Sequence, residues 1–455
     1  MDPRIWTSVV TAFLFLLSFQ PAASYAADQS ALAKAVEVRF IQVVAKNKQE
    51  RSAIANSGMS IEFVRSDSVW GFASGNSIEK LKHEHFKILG NFPRAVGRGG
   101  HHGVETPEAT GDKDFPPADA RYHNFAETTA QLRSMVSAHA DIAKLISIGK
   151  SVEGRDIWAL HINSTPEALI ESVSQKPGMV YMGAHHAREH LSTEVPLMFA
   201  DYLLKNLADP KIANLVDTRD VWIIPVVNPD GAEYDISTGH YKLWRKNRRD
   251  NHDGTFGVDL NRNYSFGWGT GGSSADTSDE TYKGTAAFSE PESSAIRDFI
   301  DSHLNTKILL TFHTYSELIL YPWGGKNDPV PVVRDRETFQ KMATTMAGWN
   351  HYTPEQASDL YIASGDTCDW AYGTHGIFAF TFEMSPKNTF GGAGFYPGAA
   401  MVDRAFADNL QPMLYMLDLA DDPYRALTTQ PTDFLHSYVQ PQLAVDRMWD
   451  PSARL

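Results

Sequence analysis

Along the chain, apolar and polar positions fall into two patterned regions separated by a stretch with few large apolar residues. In the first region Val36-Glu37-Val38-Arg39-Phe40-Ile41-Gln42-Val43 alternates as a half-buried strand does, and Lys46 to Asn56 is polar and helix-compatible. Ser60 to Val64 and Ser68 to Ala73 predict a hairpin around Ser66-Asp67, Ser77 to His85 a second amphipathic helix, and Phe86 to Leu89 a last short strand. The order βαββαβ predicts a small antiparallel sheet with two helices on one face.

From Arg94 to Pro117 the pattern lapses. Gly97, Gly99, Gly100, Gly103, Gly111, Pro107, Pro116 and Pro117 describe a flexible linker open to proteases. From Ala118 to about Ala420 the second region reads as one α/β domain. Phe125 to Ala143 predicts a helix with Leu132, Met135 and Val136 inward, followed by strands at Lys144 to Ile148 and Asp156 to Ile162. Val180 to Gly183, Val221 to Val227, Ile308 to Phe312 and Phe378 to Phe382 are short apolar runs without strict alternation, as in strands covered on both faces. Helical patterns lie at Thr193 to Asn206, Pro291 to Leu304, Arg334 to Asn350 and Ala400 to Leu419. The expected fold is α/β: a mixed, mostly parallel central sheet sandwiched by helices, preceded by a small α+β antiparallel-sheet domain. The polar, proline-bearing tail 421–455 predicts no regular element.

Composition narrows the classes. A chain of 455 residues with 42% hydrophobic content can bury a large core. Its net charge of −14 and pI near 5.6 argue against nucleic acid as a partner. Arg4, the apolar run through Val9, Phe13, Leu14, Phe15, Leu16 and Leu17, and the small residues Ser24 and Ala26 read as an export signal cleaved after Ala26. The run is roughly 15 residues where a membrane anchor needs about 20, so no membrane partner is expected. The single cysteine, Cys368, cannot form an intramolecular disulfide, and the fold must rest on its core and any bound metal.

The chemistry centres on Gly183-Ala184-His185-His186-Ala187-Arg188-Glu189-His190, placed where an apolar run gives way to a helical pattern. A His and a Glu three positions apart can reach one cation, and zinc takes imidazole nitrogen and carboxylate oxygen while leaving one position for water. His186 to His190 also fits H-x-x-E-H, with two histidines one helical turn apart as ligands. That alternative needs a helix through the whole motif, whereas Pro196 and an expected cap at Ser192 or Thr193 start the helix later. His313 closes another apolar run, Leu309 to Phe312, and is the third ligand candidate. Glu383 ends Phe378 to Phe382; a carboxylate there has either an ion-pair partner or a chemical task.

Together, Ala184-His185-His186-Ala187-Arg188-Glu189, Gly257-Val258-Asp259-Leu260-Asn261-Arg262-Asn263-Tyr264, His313-Thr314-Tyr315, Tyr361-Ile362-Ala363-Ser364-Gly365 and Phe380-Thr381-Phe382-Glu383 resemble the motif blocks of the zinc carboxypeptidases, the family of pancreatic carboxypeptidases A and B and their bacterial relatives. The blocks occur in the family's order over about Ala118 to Ala420. The resemblance implies one zinc ion held by His186, Glu189 and His313, with Asp259 bonded to the first histidine. It implies Glu383 as general base and Arg245, in Leu243-Trp244-Arg245-Lys246, as the cation beside the developing oxyanion. A surface charge among Lys246, Arg248 and Arg249 is the plainer reading of Arg245. Asn261 and Arg262 match the clamp for a free carboxylate, and Tyr361 the phenol that closes over it. Arg188 matches an auxiliary cation of the substrate channel, and Tyr315 is grouped with the substrate-binding residues. Cys368 stands at the family's selectivity position and Asp366 two residues before it; hydrophobic C-terminal residues are expected, with basic ones tolerated, and a helix cap is an equal reading of Asp366.

The organisation implied is a signal peptide (1–26), a pro-domain (27–93), a linker cut on activation (94–117), a catalytic domain (118–420) and a tail (421–455). The expected protein is a secreted monomeric zymogen whose partners are an activating protease and the C-termini of peptides or proteins. Two alternatives differ in kind: a peptidase or amidase acting on cell-wall peptides, and an inactive exported binding module.

Overall fold

The computed structural model describes residues 37–94, 114–165, 174–387 and 391–428. The expected signal, the linker between its two ends, and the tail beyond Thr428 lie outside the described residues.

The N-terminal unit is the antiparallel sheet the alternation predicts, resembling a pro-domain. Strands β1 (Arg39–Val44), β2 (Ser60–Val64), β3 (Ser68–Ala73) and β4 (Ile88–Pro93) lie in the order β2-β3-β1-β4. The helices Lys48–Asn56 and Gly75–His83 are started by Asn47 and Ser74, whose side chains accept from the backbone N–H of Glu50 and Ser77. Ile54, Ala55, Ile78 and Leu81 of the helices pack with Ile41, Val43 and Val69, so both helices cover one sheet face. The other face turns Phe40 and Phe72 onto Leu243, Tyr315, Phe395 and Tyr396 of the larger unit. The last strand begins later than Phe86, because the Phe86 N–H closes the preceding helix on Leu81 O at 2.9 Å.

Among the described residues the larger unit holds eight strands, in the order β11-β10-β12-β9-β7-β8-β6-β5. These are β5 (Ala143–Lys150), β6 (Asp156–Ile162), β7 (Gly178–Met182), β8 (Asp220–Ile224), β9 (Thr306–Thr314), β10 (Leu318–Tyr321), β11 (Thr353–Gln356) and β12 (Phe378–Met384). The four central strands β12, β9, β7 and β8 run parallel, and β10, β6 and β5 bring antiparallel pairings to the sides.

The pleat explains the layers. Met179 and Tyr181 of β7, with Leu310 and Phe312 of β9, face the helices Phe125–Ala138, Leu191–Lys205, Val333–Asn350 and Ala400–Asp418. Val180, Met182 and Leu309 face the helices Pro291–Ser302 and Thr367–His375. Each apolar run is therefore split residue by residue between two cores, which is why it shows no alternation. Two expected elements end early. The first helix stops at Ala138, where the His139 N–H meets Met135 O and Ala143 passes into β5; β8 stops at Ile224 before Pro225. The packed chain also runs past Ala420: Pro423–Leu427 form a 3-10 turn, and the Tyr424 hydroxyl donates to Asp335 at 2.7 Å. No helix of the described residues is long and apolar enough to cross a membrane.

Glu292, in the first turn of the helix Pro291–Ser302, ties that helix to the segment after Arg245. Its carboxylate accepts from Asn247 Nδ2 and from the Val152 N–H, both at 3.0 Å. Burial pushes its pKa up to about 7. A carboxyl raised in the folded state contributes stability that is full below its unfolded pKa, about 4.3, and is lost as pH rises through 7. The unfolding free energy of Glu292→Gln relative to the parent, measured by urea titration, should therefore move in favour of the variant between pH 5 and pH 8, by on the order of 1–3 kcal/mol.

Candidate metal centre

The site is built where the central strands end. After β7 the chain turns at Gly183, where a Cβ would stand 1.9 Å from Ser192 O, so the turn can close only with glycine. Ser192 Oγ donates to Glu189 O at 2.5 Å and accepts from the Ala184 N–H at 2.9 Å, folding 184–189 into a tight loop. The helix begins at Leu191, so His186 to His190 precede it. This removes the H-x-x-E-H reading, which needs a helix through the motif. The expected cap at Ser192 or Thr193 is corrected too: both lie inside the first turn, and Ser192 closes the loop instead. The His190 Nε2–H donates to Asp235 at 2.9 Å.

His186, Glu189 and His313 meet, and one ligand atom from each lies within 4.8 Å of the other two. His186 Nδ1 is 2.8 Å from Glu189 Oε1, His313 Nδ1 is 2.9 Å from Glu189 Oε2, and the two Nδ1 atoms are 3.2 Å apart. Tetrahedral ligands about 2.0–2.1 Å from zinc lie roughly 3.3 Å from each other, so the donor set and its spacing fit that ion. Asp259 Oδ1 takes the His186 Nε2–H at 3.1 Å, which leaves Nδ1 as a lone pair. Burial opposes ionisation of Glu189, but the two imidazoles hold its pKa well below the usual carboxylate range.

Glu383 reaches the same rim by strand register, being paired directly with His313 across β12 and β9. Burial raises its pKa, and the nearby carboxylates of Glu189 and Glu62 raise it further. Arg245 is buried and is not part of a solvated charge run: Nε and Nη2 donate to Asp259 Oδ2 at 3.0 and 2.9 Å. Burial alone would lower its pKa, but Asp259, Glu62 and Glu189 together more than offset this. Asp259 thus holds the first histidine with one oxygen and this cation with the other.

One cavity of about 420 Å³ is lined by His186, Glu189, Arg245, Asn261, Arg262, Tyr315, Tyr361, Asp366 and Glu383. Asn261 Oδ1 accepts from Thr367 N–H and Oγ1, and Arg262 Nε and Nη1 donate to Gly272 O and Asn261 O, which fixes both side chains. Two expected residues sit apart from it. Arg188 is fully enclosed, its guanidinium 4.7 Å from the Phe72 ring and 4.4 Å from that of Phe395, and paired with Glu62 and Glu280. Cys368 packs in an apolar cluster with Sγ 3.2 Å from Thr381 Oγ1, and Thr381 is what reaches the cavity. Asp366 is a helix cap: Oδ1 accepts from the N–H groups of Cys368 and Asp369 at 2.9 Å, while Oδ2 is buried without a partner.

The N-terminal unit supplies part of the lining, through residues that the sequence does not single out. Ile61, Glu62 and Phe63 of β2 face the cavity, Glu62 Oε1 accepts from Arg188 Nη2 at 2.7 Å, and the Tyr361 hydroxyl donates to Ile61 O at 3.1 Å. A glutamate inside an alternating strand carries no local mark of a partner 126 residues away.

Residues 128–411 match the family described as zinc carboxypeptidase. A zinc carboxypeptidase of Saccharothrix mutabilis subsp. capreolus is 37% identical over 380 residues, covering 81% of this chain and 86% of that protein. Carboxypeptidase A5 of Macaca fascicularis is 33% identical, with 59% of this chain and 61% of that one matched. The fold is similar to that of carboxypeptidase A from Helicoverpa armigera, with a TM-score of 0.68 at 23% identity over 86% of this chain and 99% of that one.

Removing one ligand tests the centre without reference to turnover. The parent should retain about one zinc per chain after dialysis, and His313→Ala should retain close to none under the same chelator challenge, as measured by metal analysis.

Proposed function

The chain belongs to the zinc carboxypeptidase family and is a zinc-dependent metallocarboxypeptidase; from that premise we propose that it removes C-terminal residues from peptides, with Glu383 as general base, and that it is secreted as a zymogen. The observation that carries the reading is the register of Glu383 against His313, which puts a carboxylate of raised pKa beside the ligand set.

Zinc, when bound by His186, Glu189 and His313, would supply an electrophile and lower the pKa of a water in the site. Glu383 takes the proton of the attacking water and returns it to the departing amine nitrogen, a task suited to a carboxyl of raised pKa. Arg245, held by Asp259, faces the negative charge that grows on the scissile carbonyl oxygen. Arg262 and Asn261 bind the terminal carboxylate, and Tyr361 closes over it; burial pushes the Tyr361 pKa up to about 12, so the phenol remains a donor.

For the side-chain pocket, support comes from the unpartnered Oδ2 of Asp366. Burial raises the pKa of this carboxyl, and a basic substrate side chain would lower it again. Apolar C-terminal residues are accepted and Lys or Arg tolerated. The zymogen reading is supported by the contacts of Glu62 with Arg188 and of Ile61 with Tyr361, which occupy groups a substrate would need.

Three outcomes are expected. Glu383→Gln should bind zinc as the parent does and lose at least about 10²-fold in kcat; undiminished kcat would remove Glu383 from its role. Arg262→Ala should cost about 2–3 kcal/mol in kcat/KM on free-carboxylate substrates and far less on the C-terminal amides; equal losses would contradict the clamp. A proteolytic nick in the 95–113 segment followed by removal of the N-terminal unit should raise hydrolysis of a blocked dipeptide, and activity unchanged from the intact chain would refute the zymogen.

A further inference from the structure

The buried acid Asp235 belongs to none of the groups so far given a task, yet three chain segments of the site converge on it. It lies in the helix Pro229–Ile236 and is fully enclosed. Oδ2 accepts from His190 Nε2 at 2.9 Å and from the Tyr396 hydroxyl at 2.8 Å; Oδ1 accepts from the Trp244 N–H at 2.7 Å. Its backbone carbonyl accepts from the Lys242 N–H at 3.0 Å.

These bonds bracket a strained residue. Leu243 has φ of 58°, a left-handed conformation that costs a bulky side chain on the order of 1–3 kcal/mol. Lys242 and Trp244, on its two sides, are both tied to Asp235, one by the backbone and one by the carboxylate. The turn so held aims Leu243 O at Arg188 Nη1, 3.3 Å away, and delivers Arg245 immediately after Trp244. Arg245 O in turn accepts from the Ala187 N–H at 3.0 Å, inside the loop that carries His186 and Glu189. His190, itself a donor to Asp235, follows Glu189 directly.

We infer that Asp235 is a positioning residue for the reaction: by holding the Leu243 turn and the His190 side chain at once, it fixes Arg245 relative to the metal ligands. Its action is geometric. Displacement of a transition-state group by about 1 Å costs on the order of 10²-fold in rate, so a shared anchor for the cation and for the ligand loop has a large effect without touching substrate.

The inference rests on the reading of Arg245 as the cation beside the oxyanion, and its test separates the two. In the full chain, Asp235→Asn should release zinc to a chromogenic chelator about tenfold faster than the parent, a readout independent of turnover. After the linker nick, its kcat on a blocked dipeptide should fall about 10–100-fold with KM within about threefold. Asp220 is the control for a merely structural loss: it is equally buried, accepts from His161, Asn163, Trp222 and Asn305, and begins β8 at the opposite rim of the sheet. Asp220→Asn should melt lower yet keep zinc release and kcat within about twofold of the parent. An Asp235→Asn chain that behaves like Asp220→Asn overturns the inference. Should Asp235→Asn not fold, Tyr396→Phe removes a single donor; zinc release at least threefold faster supports the assignment and an unchanged rate overturns it. Arg245→Ala with undiminished kcat would end the reading of Arg245 alone, and the zinc-release comparison would still judge Asp235.

Discussion

Charge balance in a dry space governs this molecule. Glu189, Asp259 and Glu383 are carried to one rim of the sheet, largely out of water, where like charges repel strongly. They can share it because Arg245 pairs with Asp259, because Arg262 lines the same cavity, and because His186 and His313 complete with Glu189 a donor set that asks for a divalent cation. Other features follow from that need. Asp259 is divided between an imidazole and a guanidinium, the turn at Gly183 is closed tightly enough to aim two ligands, and the parallel register of β9 and β12 sets base beside ligand.

The parts of this arrangement that were legible in the amino-acid order are those with a local signature. The runs ending at Met182, Phe312 and Phe382 announce buried strands, and a polar residue at the end of such a run is conspicuous, which is how His186, His313 and Glu383 could be picked out. β10 and β11 were not legible: each has four residues, and Thr353-Pro354-Glu355-Gln356 has no apolar character to betray a strand. The helices Pro210–Thr218 and Pro229–Ile236 were not legible either, because each opens on a proline after Asp209 or Asn228, a pairing that reads equally well as a turn.

Pairings over long sequence separations were invisible for a different reason. Asp235 looks like any acid in a helix, and only the tertiary fold gives it His190, Trp244 and Tyr396. Asp279 is similar: it lies in a loop of the larger unit, fully buried, and receives Ser74 and Ser77 of the N-terminal unit at 2.5 and 2.6 Å. Cys368 shows the converse, since correspondence of position suggested a pocket wall and packing put the sulfur into the core behind Thr381.

The aromatic seam between the two units has a colloidal consequence. Phe40 and Phe72 on one side, and Tyr315, Phe395 and Tyr396 on the other, are all nearly inaccessible while the units touch. Any event that parts them uncovers two matching greasy surfaces at once, and rings of this size each forfeit roughly 1.5–3 kcal/mol of transfer free energy on wetting. The detached halves are then prone to rejoin or to coalesce with other chains, so lasting separation calls for the smaller half to be destroyed as well as cut loose.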